Sequence, residues 1–271
     1  MSLDQAQRDV AAASATTRRR RRVPLAIPVA IAVAWLLAVL AQATARAPEL
    51  HHDAVIHSRL PLWAQLAVFL VAWQAMIAAM MLPSTLPMVR LFGQMSAGRQ
   101  RHRATMGAFL GGYAGVWTGF GALAFLGDVA LHHTVHRTPW LAEHPWVIAG
   151  STLAAAGLFQ FWVLKDVCLA KCRTPGAYLL SRYRRGVRGA LRLGWGHGLF
   201  CLGCCWALML LMFAAGVANL WWMAALTALM VYEKVSRNGT RAVPVAGMAL
   251  LALAALAFLH PVWAQSLLGR A

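Results

Sequence analysis

Five cysteines, ten histidines and twelve methionines are the side chains here that can hold a soft metal. Their spacing is uneven. In HGLFCLGCCWALMLLM, which begins at residue 197, His197, Cys201, Cys204, Cys205 and Leu208 stand at offsets of 0, 4, 7, 8 and 11. That is one stripe of an α-helix, with Met209 and Met212 continuing close to it. Cys at i and i+3, or His and Cys at i and i+4, share a helix face and can take one ion. Cys168 and Cys172 add a second such pair.

The elements that must position these residues read as membrane spans. The chain has 271 residues, of which 60% are hydrophobic and 12% charged, against about a quarter charged in soluble domains. Runs without Asp, Glu, Lys or Arg cover 23–45, 60–89, 104–127, 144–164, 193–232 and 242–269. A spanning helix needs about 20 apolar residues. The fifth run holds 40 and divides near Gly216 and Asn219, which suit a turn. The expectation is an all-α polytopic membrane helix bundle of about seven transmembrane helices. They run over about 23–45, 61–82, 105–131, 145–164, 196–216, 219–234 and 243–260, in one domain from 23 to 263. Residues 1–22, ending in five arginines, read as a disordered basic cytoplasmic tail. Small residues around 41–47 mimic a leader cleavage site, so a cleaved six-span form is the alternative.

The net charge of +17 invites a nucleic-acid reading, but the positive charges fall between apolar runs and leave no soluble binding face. Topology accounts for them. With the N-terminus cytoplasmic, Lys and Arg number six in the tail, four after the second span, eight between the fourth and fifth, and three after the sixth. Only Arg46, Arg59, Arg137 and Arg270 fall outside. The partner implied is the lipid bilayer, with no nucleic acid.

Depth then gathers the sulfur. The second span reaches the cytoplasmic side near Leu82, where Pro83 and Pro87 predict an end or bend, so Met76, Met80 and Met81 lie in its inner half. Cys168 and Cys172 follow the cytoplasmic end of the fourth span. The fifth leaves that side near Gly196, which puts His197 at the interface and Cys201, Cys204 and Cys205 within roughly 5–15 Å of it. Thiols on this side are normally kept reduced. Thiolate and thioether donors select Cu(I), zinc or iron–sulfur chemistry. Met80 and Met81 alone suit packing as well as ligation, and Glu233-Lys234 reads as an interfacial ion pair or a helix-end charge.

Other features point less sharply. Gly107, Gly111, Gly115 and Gly119 form overlapping GxxxG patterns, which predict close helix packing. Eight histidines lie outside, among them His51, His52, His57 and the His132, His133, His136 group. If the third span continues, that last group shares a turn and can hold Cu(II) or Zn(II); otherwise it is solvated loop. No charged residue falls in mid-span, which argues against a proton-coupled transporter.

Several blocks carry a resemblance. They are Trp73…Met76…Ala79-Met80-Met81-Leu82-Pro83-Ser84…Pro87, then Leu164-Lys165-Asp166…Cys168-Leu169…Cys172-Arg173…Pro175. His197-Gly198…Cys201…Gly203-Cys204-Cys205-Trp206-Ala207-Leu208-Met209, Asn219-Leu220…Trp222-Met223 and Glu233-Lys234 follow. Over about 63–234 the chain resembles a bacterial domain-of-unknown-function family described as predicted metal-binding integral membrane proteins. Phe159 stands where that pattern has Tyr, and Ala218 where it has Met. The resemblance implies metal binding with copper handling, a multi-pass protein of the bacterial inner (cytoplasmic) membrane, and no established enzyme activity.

The expectation is thus an inner-membrane protein handling a soft metal ion, copper first with zinc or iron possible. Cys201, Cys204 and Cys205 are the leading ligands, followed by His197, Cys168 and Cys172, then Met80, Met81 and Met76. A cuproprotein or metallochaperone would be its partner. The rival is a membrane thiol–disulfide oxidoreductase using Cys168/Cys172 and Cys204/Cys205.

Overall fold

A computed structural model describes residues 25–44, 60–98, 100–215 and 219–260. The tail 1–22, His51, His52 and His57, and Gly216 lie outside the described residues. Within them the chain is helical. Its elements are α1 (Ala26–Ala43), α2 (Leu62–Ser96), α3 (His102–Arg137), α4 (Pro139–Glu143) and α5 (Pro145–Phe159). After these come α6 (Val163–Arg173), α7 (Pro175–Arg182), α8 (Gly186–Ala215), α9 (Leu220–Val235) and α10 (Gly239–Leu259).

Five helices, α1, α2, α3, α8 and α10, are long and apolar enough to cross a membrane. A sixth span results if α5 and α6, bent by 64° at their junction, count as one. The segment expected as a further span, α9, has 16 residues, about 24 Å of helix and short of a bilayer's hydrocarbon core.

The boundaries depart from expectation for local reasons. α2 does not end at Leu82 but runs 35 residues, through Pro83 and Pro87. Proline 83 has no N–H to donate to the carbonyl four residues earlier. That carbonyl, on Ala79, instead accepts from the Trp35 indole N–H at 3.1 Å, which ties α1 to α2. α8 begins ten residues before the expected Gly196. Arg188 and Arg192 interrupt the charge-free run, yet Ala190 and Leu193 between them are buried, so these turns are an amphipathic continuation of the helix. His197 therefore lies several turns inside α8, not at its start. α3 continues to Arg137 and carries His132, His133 and His136 in its last turns. Asn219 caps α9, its side chain accepting from the Trp222 amide at 3.2 Å.

The bundle is organised on α8, which lies against α3, α5 and α6. The α3–α8 crossing is close enough for backbone to meet backbone. A Cβ added at Gly194 would strike the Phe109 carbonyl, and one at Gly112 the Leu191 carbonyl. Of the GxxxG glycines only Gly115 meets α8, its Cβ position 3.4 Å from the Trp195 ring, while Gly107, Gly111 and Gly119 face open space. The tighter packing glycines stand out of that register, at Gly112 and Gly121. A Cβ at Gly121 would come within 2.6 Å of the Trp73 ring.

α2 is fixed to α3 by side chains that use the polar groups of both helices. Trp73 donates to the Trp117 carbonyl at 2.9 Å, and Gln74 Nε2 to Thr118 Oγ1 at 2.6 Å. Gly194→Ala is expected to destabilise the protein by about 1–3 kcal/mol, the usual cost of overpacking. Gly111→Ala should be neutral or better. Thermal unfolding of both variants in detergent checks the contrast.

Candidate metal centre

The stripe on α8 faces inward. His197, Cys201, Cys204, Cys205, Leu208, Met209 and Met212 are all buried. Cys204 and Cys205 donate their thiol hydrogens to the Cys201 carbonyl at 3.1 and 2.8 Å, which fixes both sulfurs against the helix. Tyr113 on α3 brings its hydroxyl to 3.2 Å from Cys201 Sγ, and that hydroxyl also receives the Thr85 Oγ1 bond from α2 at 3.2 Å. The α3–α8 crossing thus sets where Cys201 points.

The other sulfur-bearing elements reach the stripe. α6 packs on α8 because Gly203 has no side chain: a Cβ there would lie 2.5 Å from Cys168 Sγ. Cys172 Sγ is 3.9 Å from Cys204 Sγ. From α2, Met81 Sδ stands 3.7 Å from Cys205 Sγ. Sulfurs sharing an ion at about 2.3 Å lie roughly 4 Å apart, so each of these pairs is spaced as co-ligands are. Met76 and Met80 are buried on α2 in the same core as the α8 thiols. Among the described residues no three His, Cys, Asp or Glu side chains converge on one point fit for an ion.

His197 has a different setting. Its ring is buried between Phe109, Tyr113 and Tyr178, with centroids 6.3, 5.8 and 6.0 Å away. Neither ring nitrogen has a hydrogen-bond partner among the described residues. A buried imidazole leaves its nitrogens unbonded only at a cost. It stands one turn before Cys201 on the same helix.

Charged residues inside the bundle are the main correction to the sequence reading. Glu233 and Lys234 do not pair with each other at the interface. Glu233 is 1% exposed and binds Lys165 Nζ of α6 at 2.8 Å, itself fully buried. Arg173 donates to the Glu233 backbone carbonyl and to that of Arg237. Lys234 turns to the sulfur instead. Its ammonium lies 3.2 Å from Cys201 Sγ, 3.7 Å from Cys205 Sγ and 3.9 Å from Met81 Sδ, with Ser84 Oγ at 3.2 Å. Lys234, Lys165 and Tyr113 were not among the expected site residues. The signal available for the lysines was a charged residue abutting an apolar run beside a cysteine motif; nothing singled out Tyr113.

The α3 histidines do not assemble a comparable site among the described residues. His132 Nδ1 stays close to Asp128 of its own helix, 2.9 Å from the carbonyl and 3.6 Å from the carboxylate, and no three-ligand group forms there among the described residues.

Breaking one side of a buried ion pair leaves an uncompensated charge and costs about 3–5 kcal/mol. Glu233→Gln is therefore expected to destabilise the protein by that order, and Lys165→Met with Glu233→Leu to recover most of it. Thermal unfolding of the single and double variants measures the difference.

No curated protein and no solved structure matches this chain. A family model does match, described as PpoB2: Copper chaperone, over residues 70–257. The matched region contains every sulfur and charged side chain of this centre, and the chain belongs to that copper chaperone family.

Proposed function

We propose that this protein carries Cu(I) in a sulfur pocket inside a membrane-embedded helix bundle and passes it to a partner cuproprotein. The observation that carries this reading is the meeting of sulfur atoms from three helices, α2, α6 and α8, with pairs at 3.7 and 3.9 Å. A mixed thiol and thioether set is the donor chemistry of Cu(I). Structural zinc sites are more often closed by four Cys or His ligands, and a buried methionine has no place among those.

The bundle's outer surface suits lipid. Leu36, Leu37, Val71, Leu123, Leu158, Trp221 and Leu259 are all exposed, and apolar surface of that extent marks a membrane contact. The charge distribution read from the sequence puts the pocket at the cytoplasmic side of an inner membrane. There the ion would enter from, or leave to, a reduced compartment.

Cys201, Cys205 and Met81 form the inner set of ligands. Cys204 and Cys172 form a second pair nearer the solvent, where Cys172 is partly exposed. Cys168 lies behind this pair. Cu(I) moves between such sets by exchanging one sulfur at a time, which suits a carrier better than a permanent site. His197, with both nitrogens free, is the next available donor.

Cys201→Ser with Cys205→Ser is expected to remove most of the copper that anaerobically purified protein holds. Mass spectrometric metal analysis beside the unaltered chain is the check, and unchanged stoichiometry would refute the reading. The thiol–disulfide alternative has one observation in its favour, the Cys172–Cys204 approach. Alkylation trapping in cells decides between the two. A copper carrier keeps these thiols reduced, whereas an oxidoreductase shows a standing fraction joined as a disulfide.

A further inference from the structure

Lys234 is a buried ammonium, 6% exposed, that makes no ion pair with a carboxylate among the described residues. The carboxylate beside it in sequence, Glu233, is engaged with Lys165. A lone buried charge is costly unless something of opposite sign compensates it. What surrounds Lys234 Nζ is sulfur: Cys201, Cys205 and Met81 at 3.2, 3.7 and 3.9 Å. These are the same atoms that would hold the ion. The ammonium touches all three, so it covers the side of each sulfur that faces the others.

We infer that Lys234 is the built-in counter-cation of this pocket, and that copper enters by displacing its ammonium. This rests on the reading of the sulfur pocket as the copper site. An ion bonded to these sulfurs at about 2.3 Å takes the space the ammonium holds, and two like charges so close repel strongly where water is scarce. The exchange balances. One unit of positive charge leaves the pocket as one arrives, and the hydrogen that Cys205 donates to the Cys201 carbonyl leaves as a proton to solvent when its sulfur joins the ion.

The lysine has somewhere to go. It is the penultimate residue of α9, which ends at Val235, and the neighbouring Tyr232 and Val235 are exposed. Its flexible four-carbon stem can carry the ammonium from the pocket to that helix end.

The sequence contains three lysines, Lys165, Lys171 and Lys234, so an amine-reactive reagent followed by peptide mass spectrometry reports on each. The protein is purified anaerobically in detergent and labelled with and without added Cu(I), with bound copper measured in the same samples. Labelling of Lys234 is expected to rise on the order of tenfold with copper, while Lys165, held by Glu233, stays protected. Copper bound with no change at Lys234 overturns displacement and leaves the copper site standing. A parallel rise at Lys165 means general loosening and also overturns it. Failure to bind copper at all removes both this inference and the site reading beneath it.

Discussion

One carboxylate cannot neutralise two lysines, and the interior of this protein is arranged around that shortage. Lys165, Glu233 and Lys234 are all buried where α6 and α9 approach each other. Glu233 takes Lys165. Lys234 is left to the thiols, a weaker and more replaceable partner. A pocket held by a strong ion pair would resist any incoming ion. A pocket held by an ammonium against sulfur keeps its shape and still yields to a softer cation.

The helix crossings serve the same end. Gly112 and Gly194 let α3 and α8 approach backbone to backbone, which places the Tyr113 hydroxyl on Cys201. Gly203 lets Cys168 of α6 lie against α8, with Cys172 reaching Cys204. Pro83 breaks the hydrogen-bond ladder of α2 one turn from the site, and Trp35 of α1 makes good the loss. Four helices are thus fixed against α8 or against each other within a few turns of the cysteines. Their placement depends on missing side chains and a missing amide as much as on attraction.

Much of this was legible in the sequence. The offsets of His197, Cys201, Cys204 and Cys205 predict one buried face because helical period is a local property. The shared depth of Met81, Cys172 and the α8 thiols follows from counting residues along apolar runs. What failed was what depends on tertiary context. Arg188 and Arg192 concealed the first turns of α8, because a charge ends an apolar run without ending a helix. The GxxxG register marked Gly115 but missed Gly112, the tighter contact, since which face of α3 meets α8 is not written in α3. Glu233-Lys234 looked like a surface pair because adjacent residues on a helix point in different directions, and their real partners lie on other elements. Met76 and Met80 are buried in the same core as the α8 thiols.

The central claim is that copper is held by sulfur gathered from separate helices. X-ray absorption at the copper edge of anaerobically loaded protein addresses it directly. A first shell of two or three sulfurs at about 2.3 Å is the expected spectrum. A shell of nitrogen and oxygen alone would contradict the account, since it would put the ion away from Cys201, Cys205 and Met81.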